Sequence, residues 1–538
     1  MPPIHSFIAA GFLGTALSAH AAPPCSVDDI KSLNVPDMTV TEARTVEAAG
    51  AVPAFCELRG TVVTRGASVA DGSARFAAQL PRDWQQRFLF LGVGGNAGNL
   101  TPSANPTDRA SALGKGYMTI LTDTGHLGDG TTAKWTLRAD GTPDMPKRID
   151  FFHRAAHAVT VAGKALAEAF YSSKPAHAYF DGCSTGGRMA MMEAERYPED
   201  YDGVISGDPM MSFHTYTARA VVQQAALSDP AAYIPDSTLA AIDARVTARC
   251  DTIDGAKDGL VQDPSACPIR AADLLCHPGE TQACLNPAQV RVLQSYTSPF
   301  RDKRGGVIFA PWAITNLSGP QGVAFNVTGR AAPNLTDLVA PWKADPAQAP
   351  RSWALVQEMV TSWLALGPTA KITDLDLDPR TNTVGDKMLA MMNATYAEGN
   401  TRDAAKLKPF IAQGRKMILY HGTSDPSIPA SQSIAFYREL TAQQKGRART
   451  DANVRLFLVP GMHHCGGGAG PDQFDTLSAL EAWVERGKAP DTILASTKPE
   501  SPIQHRLPLC AYPQQARFRG TGNINDPANW RCQAGKGS

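Results

Sequence analysis

Apolar residues recur along this chain in two forms, short solid runs and helical stripes, and the two alternate. Arg87–Leu91 (RFLFL) is a solid run that ends in Gly92-Val93-Gly94-Gly95, which predicts a strand entering a tight turn. Tyr117–Thr122 (YMTILT), Ala178–Asp181 (AYFD) and Gly203–Ser206 predict three more buried strands, the last stopped by Asp208-Pro209. From Arg154 to Tyr171, Ala, Val, Leu and Phe fall at helical spacing, and Met189–Tyr197 predicts a second helix ended by Pro198. Far downstream, Lys416–Tyr420 (KMILY) and Arg455–Val459 (RLFLV) predict two further strands, and about Gln473–Arg486 a last helix. Buried strands separated by helices imply an α/β fold, a parallel sheet covered on both faces.

Between about 211 and 403 the alternation stops. That stretch holds four cysteines, several tryptophans and many Pro-rich turns. A structureless loop of this length is implausible, so an inserted domain is expected, with 22–210 and 404–538 forming the two parts of the sheet domain. The length of 538 residues supports that division. There are no internal repeats and no low-complexity segments.

Composition narrows the function classes. Hydrophobic residues are 43% and charged residues 19%, which excludes a disordered chain. Lys+Arg and Asp+Glu are both 51, a balance that argues against a nucleic-acid partner or a polybasic membrane contact. Ile8 to Leu17 is apolar but too short to span a bilayer, and Ala19-His20-Ala21 fits a cleavage site. Residues 1–21 therefore read as a signal peptide cut before Ala22, although its start carries His5 and no Lys or Arg. A secreted or periplasmic protein with no membrane span is expected. Neither glycosylation, at sites such as Asn326-Val327-Thr328, nor the oligomeric state follows from the sequence.

Ten cysteines in an exported chain point to disulfides. Proximity pairs Cys25 with Cys56, Cys250 with Cys267, Cys276 with Cys284 and Cys510 with Cys532, leaving Cys183 and Cys465. Sequence alone does not fix this connectivity.

Gly182-Cys183-Ser184-Thr185-Gly186 matches G-x-S-x-G between a strand and a helix, the context of a nucleophile elbow. A serine hydroxyl needs a base, and the base an orienting carboxylate. Asp425 follows the strand Lys416–Tyr420, and His463-His464-Cys465 follow the strand Arg455–Val459, giving the order serine, acid, histidine. If Cys183 and Cys465 are bonded, their Cα atoms lie about 5.5–6 Å apart and their neighbours Ser184 and His464 are held together. That selects His464 as the base, with His463 beside it. A metal held by His463, His464 and Cys465 is the rival reading, disfavoured because ligands so close in sequence rarely all reach one zinc. The amide of Thr185 and those of Val93 and Gly94 are the expected oxyanion hole. Asp251, Asp254 and Asp258, set among glycine turns, form an oxygen-rich cluster suited to calcium without EF-hand spacing. Solvated turn residues are the plain alternative.

Together these pieces resemble the tannase and feruloyl esterase family of serine esterases. The resemblance rests on Gly182–Arg188 (GCSTGGR), Lys416–Gly422 (KMILYHG), Leu458–Cys465 (LVPGMHHC) and Ala482–Gly487 (AWVERG), and on the Cys-Ser, Asp, His-Cys order. It implies an α/β-hydrolase with an inserted lid, a Cys183–Cys465 bridge and the four neighbouring pairs above. It also implies structural calcium on Asp251, Asp254 and Asp258 with main-chain oxygens of Ala256 and Leu260. The implied substrates are small-molecule esters of aromatic acids: hydroxycinnamates such as ferulate, gallate, or a terephthalate half-ester. The terephthalate branch has Glu after the serine, where Thr185 stands, and a carboxylate-binding Arg in the lid near Ala344, with Arg351 the nearby alternative. These departures favour a feruloyl-type ester, with Ile428 a candidate wall of the acid pocket. An exported phenolic- or carbohydrate-binding module with a dead site is the non-enzyme alternative.

Overall fold

A computed structural model describes residues 24–103 and 111–535. The signal-peptide expectation lies outside the described residues. Nine strands form the central sheet: β1 (Met38–Val46), β2 (Phe55–Thr64), β3 (Gly72–Pro81), β4 (Arg87–Leu91), β5 (Tyr117–Thr122), β6 (His177–Cys183), β7 (Gly203–Gly207), β8 (Lys416–Gly422) and β9 (Val454–Val459). Their order is β1-β2-β3-β5-β4-β6-β7-β8-β9. From β5 to β9 neighbours are parallel. The expectation of a wholly parallel sheet needs correction, because β1, β2 and β3 add antiparallel strands at one side, with β3 antiparallel to β5. These strands escape a search for solid apolar runs. In β1, only Val40 of nine residues is fully buried, and β2 alternates buried and open positions.

Helices α1 (Ala155–Tyr171) and α2 (Thr185–Arg196) cover one face, with Gly163 of α1 against Phe88 and Ile120. Helix α3 (Ala430–Gln443) lies beside β8, and α4 (Thr476–Arg486) covers the opposite face, where Leu480 packs on Gly203. Two boundaries differ from the pattern reading. Helix α2 starts at Thr185, ahead of Met189, because the buried Arg188 donates to the carbonyls of Phe151 and Phe152 and fixes the first turn by tertiary contact. Gln473–Phe474 are a short strand paired with Ala495 and Ser496, and Asp475 caps α4 through the Ser478 amide.

After β4 the chain adds β5 on one side and then returns to place β6 on the other. The carboxyl ends of β4 and β6 are therefore neighbours whose connections leave in opposite directions, which opens a crevice between them. Residues 211–403 lie between β7 and β8. They hold the buried helix His214–Ala226, the helices Asp236–Cys250, Pro287–Thr297 and Asp386–Thr395, and a four-stranded sheet of short strands.

Glu195, near the end of α2, is buried, and burial pushes its carboxyl up to about 8 against the pull of Lys406 and Arg196. A folded-state value above the unfolded one means the native chain holds a proton that the unfolded chain has released. This contribution to stability is complete below about pH 4.3 and fades as pH rises through about 8. Glu195→Gln is expected to raise the melting temperature at pH 8 by several degrees and to leave it unchanged at pH 4, measured by calorimetry. An unchanged pH slope would overturn the assignment.

Candidate active site

At the end of β6 the chain reverses at Ser184, whose φ of 63° and ψ of −121° are strained for a residue with a side chain. The Ser184 amide donates to the Gly207 carbonyl at 2.9 Å, and its carbonyl accepts from Arg188 and Met210. The reversal folds Gly182 onto Gly186. A Cβ at 182 would lie 2.5 Å from the Gly186 carbonyl carbon, and one at 186 would lie 2.2 Å from Ser103 Oγ. Gly182 is therefore a steric requirement and Gly186 is closely packed, and the Ser184 hydroxyl between them is left half-buried at the crevice.

Strands β8 and β9 bring up the other two groups. Asp425 lies in the loop after β8 and His464 in the loop after β9. The His464 ring lies between them, with Nε2 2.8 Å from Ser184 Oγ and Nδ1 donating to Asp425 Oδ2 at 2.6 Å. Asp425 Oδ1 accepts the amides of Ser427 and Ile428. Burial alone would raise the Asp425 carboxyl, but His464 and His421 outweigh it and hold it well below the usual carboxylate range. Asp425 thus stays ionised opposite the imidazole.

Cys183 and Cys465 are bonded, with Cα atoms 6.0 Å apart, and this bond joins the residue before Ser184 to the residue after His464. The other bridges are Cys25–Cys56, Cys250–Cys267, Cys276–Cys284 and Cys510–Cys532. His463 turns away and donates from Nε2 to the Asn316 carbonyl of the insertion at 2.9 Å. With Cys465 bridged and His463 pointing elsewhere, the rival metal set of His463, His464 and Cys465 is not assembled.

Thr185 opens α2, and its hydroxyl donates to the Gly95 carbonyl at 2.6 Å. Val93 pairs with Pro102, and Ser103 ties the same turn to the elbow: its amide donates to Gly92, and its Oγ accepts the Cys183 amide. Val93 and Gly94 therefore lie beside the elbow. Ile428 is buried, and its carbonyl accepts from His421 Nε2 at 2.9 Å. Ala344 and Arg351 are both exposed. The Asn326 sequon is sealed, since Asn326 is buried and its Oδ1 accepts from Ser427 Oγ in the acid loop.

The sequence assigns no role to two residues at the site. Asp208 reads there as a strand stop, and His421 only as part of the Lys416–Gly422 stretch. Both are fully buried. The strand-end position of Gly-Asp-Pro, one strand over from the elbow, is the signal that could have marked Asp208.

Farther off, the turn after the helix Asp236–Cys250 gathers the acidic cluster. Asp251 Oδ1 accepts the amides of Asp258 and Gly259, Asp254 Oδ1 accepts that of Ala256, and Asp258 Oδ1 accepts that of Leu260. Asp254 Oδ2 and Asp258 Oδ2 are buried without a hydrogen-bond partner. Burial and the neighbouring carboxylates push Asp254 up to about 6 and Asp258 up to about 7. Orphaned carboxylate oxygens on a tight turn are a donor set that suits a hard cation.

The double variant Cys183→Ser/Cys465→Ser is expected to lose at least about tenfold in kcat, because the ring and hydroxyl are no longer held at attack distance. Cys510→Ser/Cys532→Ser should keep its turnover. Equal losses in the two would sink the positional argument; ester hydrolysis at matched folded fraction reads it.

The family model described as tannase and feruloyl esterase matches residues 57–533. A mono(2-hydroxyethyl) terephthalate hydrolase of Piscinibacter sakaiensis is 32% identical over 535 residues, covering 90% of this chain and 86% of that one. Feruloyl esterase B of Aspergillus niger is 29% identical, covering 87% of this chain and 86% of that one. The crystal structure of feruloyl esterase B from Aspergillus oryzae superposes with a TM-score of 0.75 at 24% identity, covering 94% of this chain and 98% of that one. The fold is thus an α/β-hydrolase fold, and the chain belongs to the tannase and feruloyl esterase family of carboxylic ester hydrolases.

Proposed function

We propose that this chain is an exported serine esterase that cleaves esters of aromatic, hydroxycinnamic-type acids through an acyl-enzyme. The observation that carries the reading is the His464 ring, 2.8 Å from Ser184 Oγ and 2.6 Å from Asp425 Oδ2. His464 takes the hydroxyl proton as Ser184 attacks the ester carbonyl, and Asp425 holds the ring and stabilises its cation. The amides of Thr185, Val93 and Gly94 receive the oxyanion. The alcohol leaves with the proton from His464. Water, activated by the same imidazole, then releases the acid. The insertion supplies the acid pocket, with Ile428 in its wall. Five disulfides support an oxidising compartment, secreted or periplasmic, and no helix among the described residues is long and apolar enough to cross a membrane.

A terephthalate half-ester is the second reading, favoured by the 32% identical relative. Against it, Thr185 follows the nucleophile and Ala344 stands near the place of the carboxylate-binding Arg, with Arg351 the nearby alternative. Galloyl esters are the third substrate class of the family. The test is hydrolysis of methyl ferulate, methyl gallate and the terephthalate half-ester by the parent and by Ser184→Ala. The expected result is preference for ferulate and a loss of at least about 10⁴ in kcat in the variant. Near-normal turnover by Ser184→Ala would overturn the serine mechanism, and preference for another ester would overturn the feruloyl assignment.

Calcium is the proposed occupant of the acidic turn, held by Asp251, Asp254 and Asp258 with the carbonyls of Ala256 and Leu260. Bound there, it would supply charge compensation and rigidity to the insertion, and it takes no part in the acyl transfer. Chelation is expected to lower the melting temperature by several degrees and added calcium to restore it, with Asp254→Asn/Asp258→Asn insensitive to both. A melting curve indifferent to chelator and calcium in the parent would refute the site.

A further inference from the structure

Asp208 is the first residue beyond β7, and its carboxylate reaches both catalytic loops. Oδ1 accepts the Gly422 amide at 2.8 Å, at the root of the Asp425 loop. Oδ2 accepts the Cys465 amide at 2.6 Å, next to His464. The Asp208 amide itself donates to the Tyr420 carbonyl. To make these contacts the residue adopts a φ of 36°, a left-handed backbone that a side chain disfavours. Carboxylate oxygens of Asp208 and Asp425 and a ring nitrogen of His464 lie within 4.8 Å of one another.

His421 lies between the two carboxylates. Its Nε2 donates to the Ile428 carbonyl and lies 3.4 Å from Asp425 Oδ2 and 3.6 Å from Asp208 Oδ1, while Nδ1 is 2.8 Å from Ser433 Oγ. No side chain in this group is open to water except the half-buried His464. Burial works against a charged His421, but Asp208, Asp425 and the Ile428 carbonyl outweigh it and raise the imidazole above its ordinary value. Burial raises Asp208 in turn, with His421 and His464 pulling the other way. Other groups that act on Asp425 are the buried Arg219 guanidinium, which donates to the Ser427 carbonyl, Tyr296, and His463, which is turned toward Asn316.

We infer that Asp208 and His421 are positioning residues of the reaction, a buried ion pair that fixes the acid and base loops and sets the charge around His464. With Asp208 and Asp425 negative and His421 positive, these three side chains carry one net negative charge, and the buried Arg219 guanidinium on the Ser427 carbonyl is the further cation that faces Asp425. When His464 takes the Ser184 proton, that charge is balanced. The proton thus moves into a field already arranged for it, and no new group has to be desolvated. This inference rests on the serine-esterase reading above.

The signs of the two charges give a test that a merely structural role would not pass. Asp208→Asn removes a negative charge near His464, so the acid limb of the kcat/KM profile should move to lower pH by about one unit. His421→Gln removes a positive charge, so the same limb should move to higher pH. Both variants should lose about tenfold or more in kcat with KM little changed. Folding is checked by thermal melting and by stoichiometric labelling of Ser184 with a fluorophosphonate. Acid limbs that stay in place, or that move the same way in both folded variants, would overturn the inference. If Asp208→Asn does not fold, an unmoved or lowered limb in His421→Gln overturns it alone. Undiminished turnover by Ser184→Ala, run alongside, would instead locate the failure in the serine-esterase reading.

Discussion

A serine hydroxyl is a poor nucleophile without a base in hydrogen-bond reach, and the Ser184 hydroxyl and His464 imidazole that meet at 2.8 Å are 280 residues apart in the chain. Tertiary structure must bring them together. The sheet supplies the coarse placement, since β6, β7, β8 and β9 are successive parallel neighbours whose carboxyl ends share one rim. That rim fixes which loops meet, but not to a fraction of an ångström. The finer placement comes from the Cys183–Cys465 bond and from backbone amides gathered on Asp208. Strain at Ser184 and at Asp208 is tolerated because both residues are locked on several sides by these contacts.

The electrostatics follow from the same geometry. A carboxylate moved from water into a protein interior is costly unless donors and an opposite charge replace its hydration. Asp425 has two amides on one oxygen and the His464 ring on the other; Asp208 has one amide on each oxygen. Hydration is thus replaced by fixed dipoles, which do not need to reorient during turnover. The acidic turn at Asp251–Asp258 lacks that completeness, because two of its carboxylate oxygens have no donor, and this distinguishes it from the active-site carboxylates.

The strands and turns nearest the chemistry were the most legible in the sequence. β4 through β9 are nearly solid apolar runs because both faces are covered, and each run ends where its functional loop begins. The outer strands β1 and β2 were not legible, because one side of each is open and their patterns mix with those of loops. Asp208 and His421 were missed for another reason. Their importance lies in what they touch across strands, and a strand-end Asp or a His finishing an apolar run has innocent explanations in sequence. The Asn326 sequon misleads in the opposite direction, as a surface motif that the fold has turned inward. That Ser184, Asp425 and His464 meet was readable from order and spacing; their mutual distances were not.

The insertion is bound to the loops that carry Asp425 and His464. Asn316 donates to Ser424 Oγ and accepts from His463, Asn326 accepts from Ser427, and Arg219 donates to the Ser427 carbonyl. All of these contacts fall on the loops that carry Asp425 and His464. A flap that swung open would have to break them, and with them the setting of the acid and base. The hold of the insertion and the setting of Asp425 and His464 therefore stand or fall together.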